Sequence, residues 1–244
     1  IGIGAMIDFG PLLSNPKLML FGAAAQFGIF FTLSMASIFF PEAKDAASIA
    51  IIGAADGPTS IFVANMLNSN YTAAIMVAAY SYMALVPIVQ PPVIKLLTTK
   101  KERLIRMEYS PKGVSRKTRI FFPIIVTIVV GLIAPECVSL IGFLMFGNLI
   151  RECGVLEKLS KAAQNELSNI VTLLLGISVG ASMTAANFLQ PTTLLIMILG
   201  LIAFIGDTAV GVLFAKFLNL FRKKEHKLNP MLGACGISAF PMAS

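Results

Sequence analysis

The sequence contains no tryptophan, a single histidine and three cysteines without a C-x-x-C pair. Without clustered cysteine or histidine, the residues favour neither a disulfide framework nor a zinc, haem or iron–sulfur site. The sequence also has no G-x-x-x-x-G-K-[ST] phosphate loop, so it does not support direct ATP hydrolysis. The energy for any transport must therefore come from an ion gradient or from a partner protein.

Charged residues are also scarce: they make up 13% of the 244 residues, whereas 57% are hydrophobic. This composition is typical of an all-α polytopic membrane protein. Of the 19 Lys and Arg, eight fall within residues 98–119 and five within residues 216–227, in both cases between apolar segments. The positive-inside rule predicts that both basic loops are cytoplasmic, so the net charge does not indicate nucleic-acid binding.

The apolar segments predict a transporter-like bundle of helices. The basic stretch at 98–119 separates a first membrane half, residues 1–97, from a second half, residues 120–244. The chain starts without an initiator Met or a signal peptide, and we expect it to be incomplete. We expect apolar segments at about residues 18–40, 46–67, 71–97, 120–134, 137–150, 169–186 and 192–218, and an amphipathic surface helix at 151–168.

The stretch IIGAADGPTS, residues 51–60, places Asp56 directly before a Gly-Pro pair inside the second apolar segment. Gly is conformationally loose and Pro lacks an N–H, so we expect a broken helix there. A carboxylate at a break in a membrane helix indicates a functional site, where freed carbonyls and nearby hydroxyls are oxygen ligands that suit Na⁺. The structural alternative is that Asp56 only caps the helix that Pro58 begins.

Tyr82 is a candidate partner of Asp56. The polar turn at residues 68–70 lies midway between the two, so an antiparallel hairpin turning there puts both at the same depth. That depth is about 20 Å from the turn, near the middle of a hydrocarbon core of about 30 Å. The spacing therefore predicts a carboxylate–phenol pair near the midplane, although a packing role for Tyr82 stays open.

The last stretch, residues 229–241, again combines small residues, a hydroxyl and a proline, and it predicts a second broken or re-entrant helix. Asn229 and Ser238 flank Gly233 as neutral oxygen donors. Its small residues resemble those at 53–55, which is compatible with an inverted repeat.

Asp207 is a second carboxylate inside an apolar segment. It lies about 16 Å deep by the helical rise. The residues leave its role open between ion binding and a structural pairing within the bundle.

Several motifs resemble the membrane-embedded β subunit of sodium-pumping biotin-dependent decarboxylases, a family that includes oxaloacetate, methylmalonyl-CoA, glutaconyl-CoA and malonate enzymes. The motifs are IIGAADGPTSIF, Tyr82 downstream of it, FGNLIRECGVLEKLS and NPMLGACGISAFPMAS. The resemblance implies Na⁺ export driven by decarboxylation of carboxybiotin at the inner (plasma) membrane. It implies as partners a carboxyltransferase α subunit, a biotin carrier and a small membrane γ or δ subunit, and it is compatible with a homo-oligomer.

The resemblance also implies roles for individual residues. Asp56 is the main Na⁺ ligand, and Tyr82 donates a proton that Na⁺ displaces. Asn229, Gly233 and Ser238 belong to the second Na⁺-binding region. Because the family has further membrane segments beyond both ends of this chain, we expect the chain to be partial. The alternatives are a Na⁺-coupled secondary transporter of an organic carboxylate, which would not need biotin, and a scaffold in which Asp56 only caps a helix.

Overall fold

A computed structural model describes residues 1–107, 114–182, 189–222 and 227–236. Every regular element within these ranges is helical, which confirms the all-α class. The α-helices are α1 Gly2–Met6, α2 Gly10–Ser14, α3 Met19–Ala24, α4 Phe27–Phe39, α5 Ala43–Ala50, α6 Gly57–Met66, α7 Thr72–Leu97, α8 Lys100–Arg103, α9 Arg116–Ile133, α10 Val138–Cys153, α11 Glu157–Ala162, α12 Ser168–Ser182 and α13 Pro191–Leu220. Shorter elements are the 3₁₀ segments Pro16–Leu18, Ile51–Ala54, Pro135–Cys137 and Pro230–Gly236 and the π-helical turn Ala163–Leu167.

Two helical stretches within the described residues, Pro16–Phe39 and α13, are long and apolar enough to cross a membrane. Helix α7 is a third candidate span if its two parts, which are bent by 55° between Tyr82 and Ala84, are counted as one. Pro87 accounts for this bend, because its missing N–H is the one that would bond the carbonyl four residues earlier. The other predicted crossings and the orientation of the basic loops stay predictions.

The chain divides into two compact units, and each is discontinuous in sequence. The first unit comprises Ile1–Lys17 and Tyr109–Gly180, and the second unit comprises Leu18–Glu108 and Ala181–Ser244. This division differs from the predicted membrane halves, which are the consecutive ranges 1–97 and 120–244. The membrane halves themselves stay a prediction.

In the first unit, helix α10 holds the C-terminal end of α1. The Asn148 side chain, which is 1% exposed, donates from Nδ2 to the Ile7 carbonyl at 2.9 Å. Arg151 donates from Nη1 to the Met6 carbonyl, also at 2.9 Å. These bonds satisfy carbonyls that a helix end leaves without intrahelical partners. Both side chains belong to the motif FGNLIREC, so part of this motif has a structural role in anchoring α1.

The second unit has a core of small and branched apolar side chains between α4, α5, α7 and α13. Alanines at these contacts let the helix backbones approach closely. Dispersion contacts between such closely packed helices stabilise a bundle whose outer surface is itself apolar. The buried members of this core include Ala36, Ile49, Ile52, Ile75, Ala78, Ala79, Tyr82, Ile196 and Leu199.

Asp45, at the start of α5, holds the turn that joins α6 to α7. Its carboxylate accepts hydrogen bonds from Ser69 Oγ at 2.7 Å, from the Asn70 backbone N–H at 2.9 Å and from Asn70 Nδ2 at 3.1 Å. The turn at residues 68–70 therefore forms where the sequence predicts it. Burial alone would raise the pKa of Asp45, but the bonds from Ser69 and Asn70 and the charge of Lys44 outweigh it and lower the pKa.

Replacing Asp45 with Asn should destabilise the protein near neutral pH by about 1–2 kcal/mol, because hydrogen bonds to a charged group are lost. Since the folded-state pKa is lowered, this stabilisation is complete well above the ordinary Asp pKa of about 3.9 and disappears as the pH falls through the folded value. Thermal unfolding of the detergent-solubilised protein across this pH range measures the difference.

The matched control is Glu42→Gln, because Glu42 forms only an exposed ion pair with Lys44. Exposed pairs contribute little to stability. Equal effects of the two substitutions at every pH would show that the Asp45 hydrogen bonds do not stabilise the turn.

Candidate functional site

The predicted helix break at Asp56 is present. The 3₁₀ segment Ile51–Ala54 ends at Ala55, which has a left-handed backbone conformation with φ 53° and ψ 37°. Asp56 is extended, with φ −109° and ψ 97°, and α6 begins at Gly57 with Pro58 in its first turn. Proline is accepted there because the first N–H groups of a helix have no intrahelical partner. The break therefore follows from local backbone chemistry, and it leaves the last carbonyls of the 3₁₀ segment free of helical partners.

The Asp56 side chain caps α6 and is partly buried. Its Oδ1 accepts from the Thr59 backbone N–H at 3.1 Å, and its Oδ2 accepts from Thr59 Oγ1 at 2.7 Å. The Ser60 hydroxyl donates to the Asp56 backbone carbonyl at 2.6 Å. The capping role is thus observed. A cap uses only part of the acceptor capacity of a carboxylate, so this role is compatible with ion binding.

Tyr82 lies in α7 and is 2% exposed. Its hydroxyl donates to the Met197 carbonyl of α13. Its ring packs beside Ile52, in the segment before Asp56, and over Gly200, where any side chain would meet the ring. No hydrogen bond joins Asp56 to Tyr82 among the described residues, and their pairing stays a prediction.

Tyr80 is the phenol within electrostatic range of the Asp56 carboxylate. The sequence pattern did not single out Tyr80 as a site residue. Its position two residues before Tyr82 puts it on a different face of α7, since successive residues are about 100° apart around a helix. The depth calculated from residue count is nearly the same for Tyr80 and Tyr82, so it does not show which of the two interacts with Asp56.

The first break packs between α7 and α13. Ala55 is fully buried and belongs to one apolar cluster with Val86 of α7 and Phe204 of α13. These contacts place the left-handed residue of the break, and the carbonyls just before it, in the groove between the two helices.

The second predicted break also packs against α7 and α13. The Ala234 carbonyl accepts from Nε2 of the buried Gln90, on α7, at 2.7 Å. Gly233 packs directly against the Gly211 backbone of α13, where an added Cβ would also lie 2.7 Å from the Val212 N. Gln90 was not predicted as a site residue, although an amide in an apolar segment was a signal for one.

The two breaks are neighbours along this groove. On α7, the contact residues Val86 and Gln90 are four positions apart, which is about 6 Å along the helix. On α13, Phe204 and Gly211 are seven positions apart, about 10 Å by the same rise. Both pairs lie on one face of their helix, since four and seven residues are close to one and two turns. The first break and the described part of the second stretch, residues 229–236, therefore pack against the same two helices.

Asn229 holds the second stretch to the segment after α8. Its Nδ2 donates to the carbonyls of Arg103 at 2.9 Å and Ile105 at 3.1 Å, and its Oδ1 accepts from the Met231 N–H at 3.0 Å. Its side chain thus positions the stretch through backbone groups. Ser238, the last predicted ion ligand, lies outside the described residues.

Asp207, whose role the sequence left open, is 1% exposed in α13, between Phe204 and Gly211. Its Oδ1 accepts from the Gly28 N–H of α4 at 3.1 Å. This bond shows that Asp207 makes a structural contact within the bundle, and its role in ion binding stays open. The described residues contain no group of three or more His, Cys, Asp or Glu side chains that could hold a metal ion. The oxygen donors available near the breaks are single carboxylates, hydroxyls and backbone carbonyls, a set that suits a monovalent ion.

Replacing Gly233 with Ala should separate the second stretch from α13, because the added Cβ would meet the Gly211 backbone. Such overpacking typically costs about 1–3 kcal/mol. The control is Gly206→Ala on α13, where a Cβ meets nothing within 4 Å. The control should be neutral or more stable by up to about 1 kcal/mol, since Ala favours helix. Thermal unfolding in detergent compares the two, and an equal change would contradict the close contact at Gly233.

The chain is similar to known proteins along its whole length. Residues 1–244 match the family described as the Na⁺-transporting oxaloacetate decarboxylase beta subunit. The chain is 52% identical to the oxaloacetate decarboxylase beta chain of Klebsiella pneumoniae over 250 residues, which cover 100% of this chain and 57% of that protein.

Relatives with another name are equally similar. The chain is 54% identical to methylmalonyl-CoA decarboxylase subunit beta of Propionigenium modestum over 246 residues, covering 100% of this chain and 61% of that protein. It is 52% identical to the subunit of the same name from Veillonella parvula, covering 100% of this chain and 65% of that protein. The chain thus spans between 57% and 65% of the length of these relatives.

Proposed function

Because the chain belongs to the family of Na⁺-transporting oxaloacetate decarboxylase beta subunits, we propose that it is part of the membrane subunit of a Na⁺-translocating carboxybiotin decarboxylase. The full-length subunit removes the carboxylate from biotin on a carrier protein and uses the released free energy to export Na⁺. The carboxybiotin comes from a carboxyltransferase α subunit, and a small γ or δ subunit completes the membrane part. The complex lies in the inner membrane with the basic loops at 98–119 and 216–227 on the cytoplasmic side, where the soluble partners are.

The similarity to relatives with different names supports a division of labour. Identity is 52% to a protein named for oxaloacetate and 54% to one named for methylmalonyl-CoA. We infer that the acid is selected by the carboxyltransferase and that this chain handles the step common to all, which is the decarboxylation of carboxybiotin.

That step requires a proton at the site. Carboxybiotin and one proton give biotin and CO₂, so the C–N bond breaks and the ureido nitrogen takes up the proton. A group that releases a proton when Na⁺ binds therefore couples ion movement to the chemistry. A carboxylate and a phenol near one cation position are suited to this exchange, since both gain or lose a proton as the local charge changes.

The observation that carries this proposal is that the first break and the described part of the second stretch pack against the same two helices, α7 and α13. Broken helices in membrane transporters supply backbone carbonyls to a cation at the repeat interface. In this proposal Asp56 provides the charge that binds Na⁺, while the second stretch, with Asn229, Gly233 and Ser238, provides neutral oxygens. Tyr82 donates the exchanged proton, which is supported by its burial and by its place beside Ile52 near the first break.

Na⁺ transport by the full-length protein, reconstituted with its soluble subunits in vesicles, tests the proposed function. Addition of the substrate acid should drive ²²Na⁺ uptake, and avidin, which sequesters biotin, should abolish it. Uptake that is insensitive to avidin but driven by an organic carboxylate gradient would indicate a Na⁺-coupled secondary transporter instead.

Replacing Asp56 with Asn should abolish Na⁺-dependent decarboxylation without preventing insertion and folding. Asn is as good an N-cap as Asp, so the substitution keeps an oxygen for the backbone cap of α6 while it removes the charge. The matched control is Asp45→Asn, which removes a charge at a turn outside the groove and should keep Na⁺-dependent activity. Retained coupling in Asp56→Asn would leave Asp56 with the capping role alone.

The two tyrosines give a separate test of the proton donor. Tyr82→Phe should reduce decarboxylation strongly, by about 10²-fold or more, because general-acid groups contribute about that much. Tyr80→Phe should keep most of the activity. If Tyr80→Phe is the inactive variant, the phenol in electrostatic range of Asp56 is the donor and the role of Tyr82 is packing. Decarboxylation rates at saturating Na⁺, with thermal unfolding as the folding control, distinguish these outcomes.

A further inference from the structure

Asp207 has one carboxylate oxygen that the described residues do not satisfy. Its Oδ2 is buried and accepts no hydrogen bond. Asp207 is the only acidic residue of α13, which is itself a candidate membrane span. A buried carboxylate without enough partners is strongly unfavourable, so such residues in membrane helices pair with a charge or mark an ion path.

The other oxygen explains why the carboxylate is there. Gly28 is the second residue of α4, and its N–H is one of the donors that a first helical turn leaves without a partner. The N-cap residue of α4, Gln26, makes no side-chain cap bond. Oδ1 of Asp207 supplies the missing acceptor from another helix, and the helix dipole favours a negative charge at this end. The cap therefore accounts for Oδ1 and leaves Oδ2 as a free, negatively polarised oxygen.

Further oxygens gather at the same place. An added Cβ at Gly28 would lie 2.6 Å from the Gly53 carbonyl oxygen and 2.9 Å from Asp207 Cγ, so these two groups converge on one point. Gly53 belongs to the 3₁₀ segment that ends at the first break, where terminal carbonyls lack helical partners. Neither Gly28 nor Gly53 contributes a side chain to this contact.

Thr32 adds a hydroxyl oxygen. It lies one turn after Gly28 on α4, is 1% exposed, and donates its proton to the Gly28 carbonyl at 2.7 Å. A Cβ added to Gly53 would clash with Thr32 Oγ1, so this oxygen lies next to the Gly53 backbone. The hydroxyl proton of Thr32 is donated to the Gly28 carbonyl, so Oγ1 has only lone pairs left for another partner. A cation ligand needs such lone pairs.

We propose that Asp207 Oδ2, the Gly53 carbonyl and Thr32 Oγ1 form a binding site for one Na⁺, separate from the Asp56 carboxylate. This inference rests on the proposed Na⁺ transport. One carboxylate with a carbonyl and a hydroxyl carries a single negative charge, which balances a monovalent cation, whereas Ca²⁺ sites use six to eight oxygens and usually several carboxylates. Asp207 lies on α13 between the residues that contact the two breaks, so the site borders the same groove.

The test uses the full-length protein with its partner subunits and measures Na⁺ in two ways. The first measurement is the rise of the unfolding temperature with NaCl, with choline chloride at equal ionic strength as the reference, since a ligand that binds the folded state raises it. The second is the Na⁺ concentration that gives half-maximal decarboxylation.

Asp207→Asn keeps an oxygen to accept the Gly28 N–H and removes the charge. It should raise the half-saturating Na⁺ concentration by about tenfold or more, since a lost interaction of about 1.4 kcal/mol corresponds to tenfold. It should also weaken the dependence of the unfolding temperature on Na⁺. The matched control is Thr208→Val: Thr208 is buried next to Asp207, and its hydroxyl bonds only within α13, to the Phe204 carbonyl. This variant should keep the Na⁺ dependence of the wild type.

A wild-type Na⁺ dependence of both measurements in Asp207→Asn would overturn the proposal and leave Asp207 as the cap of α4. If Asp207→Asn does not fold, Thr32→Val replaces it, because this variant keeps the side-chain shape and removes one ligand. The proposal would then be overturned if the Na⁺ concentration that gives half of the maximal rise in unfolding temperature were the same in Thr32→Val as in the wild type. Failure of the proposed function is seen separately, as a wild-type protein that does not take up ²²Na⁺ when substrate is added.

Discussion

An interruption of a helix in an apolar surrounding leaves N–H and C=O groups that must find partners. The second unit meets this requirement at several points by different means. Asp56 caps α6 from the adjacent residue, Asp207 caps α4 from another helix, and Gln90 bonds the Ala234 carbonyl of the second broken stretch. The same polar groups that complete the fold therefore carry oxygens that could bind a cation, so the proposed ion binding would depend on residues that also stabilise the fold.

Glycine makes these arrangements geometrically accessible. Gly28 faces Gly53, and Gly211 faces Gly233, with backbone against backbone in both pairs. In a membrane, close approach of this kind replaces the hydrophobic driving force that holds helices together in water. It also brings backbone carbonyls, in place of side chains, to the surface of the groove. The site consequently has little fixed charge, which distinguishes it from the multi-carboxylate sites of divalent metals.

Capping and ion binding are often treated as alternatives for a carboxylate, but the two roles are compatible. A helix N-terminus favours negative charge, so the cap offsets part of the cost of burying a carboxylate. Such a carboxylate attracts a cation through the lone pairs that the cap leaves unused. This relation is why Asn, which preserves the cap and lacks the charge, is the informative substitution at both Asp56 and Asp207. It also explains why the capping interpretation of Asp56 is confirmed without excluding its proposed role.

The sequence by itself determined the features that depend on local chemistry. Apolar composition predicted an all-α membrane protein, Gly57-Pro58 predicted the break, the polar residues 68–70 predicted the turn, and the motifs identified the family. The contacts of distant side chains required the tertiary structure. Helical rise gives the depth of Tyr82 but not its bond to Met197, and the sequence could not show that Asp207 reaches Gly28, 179 positions earlier. Depth along a helix follows from residue count, whereas the neighbour on the next helix depends on how all the small residues pack.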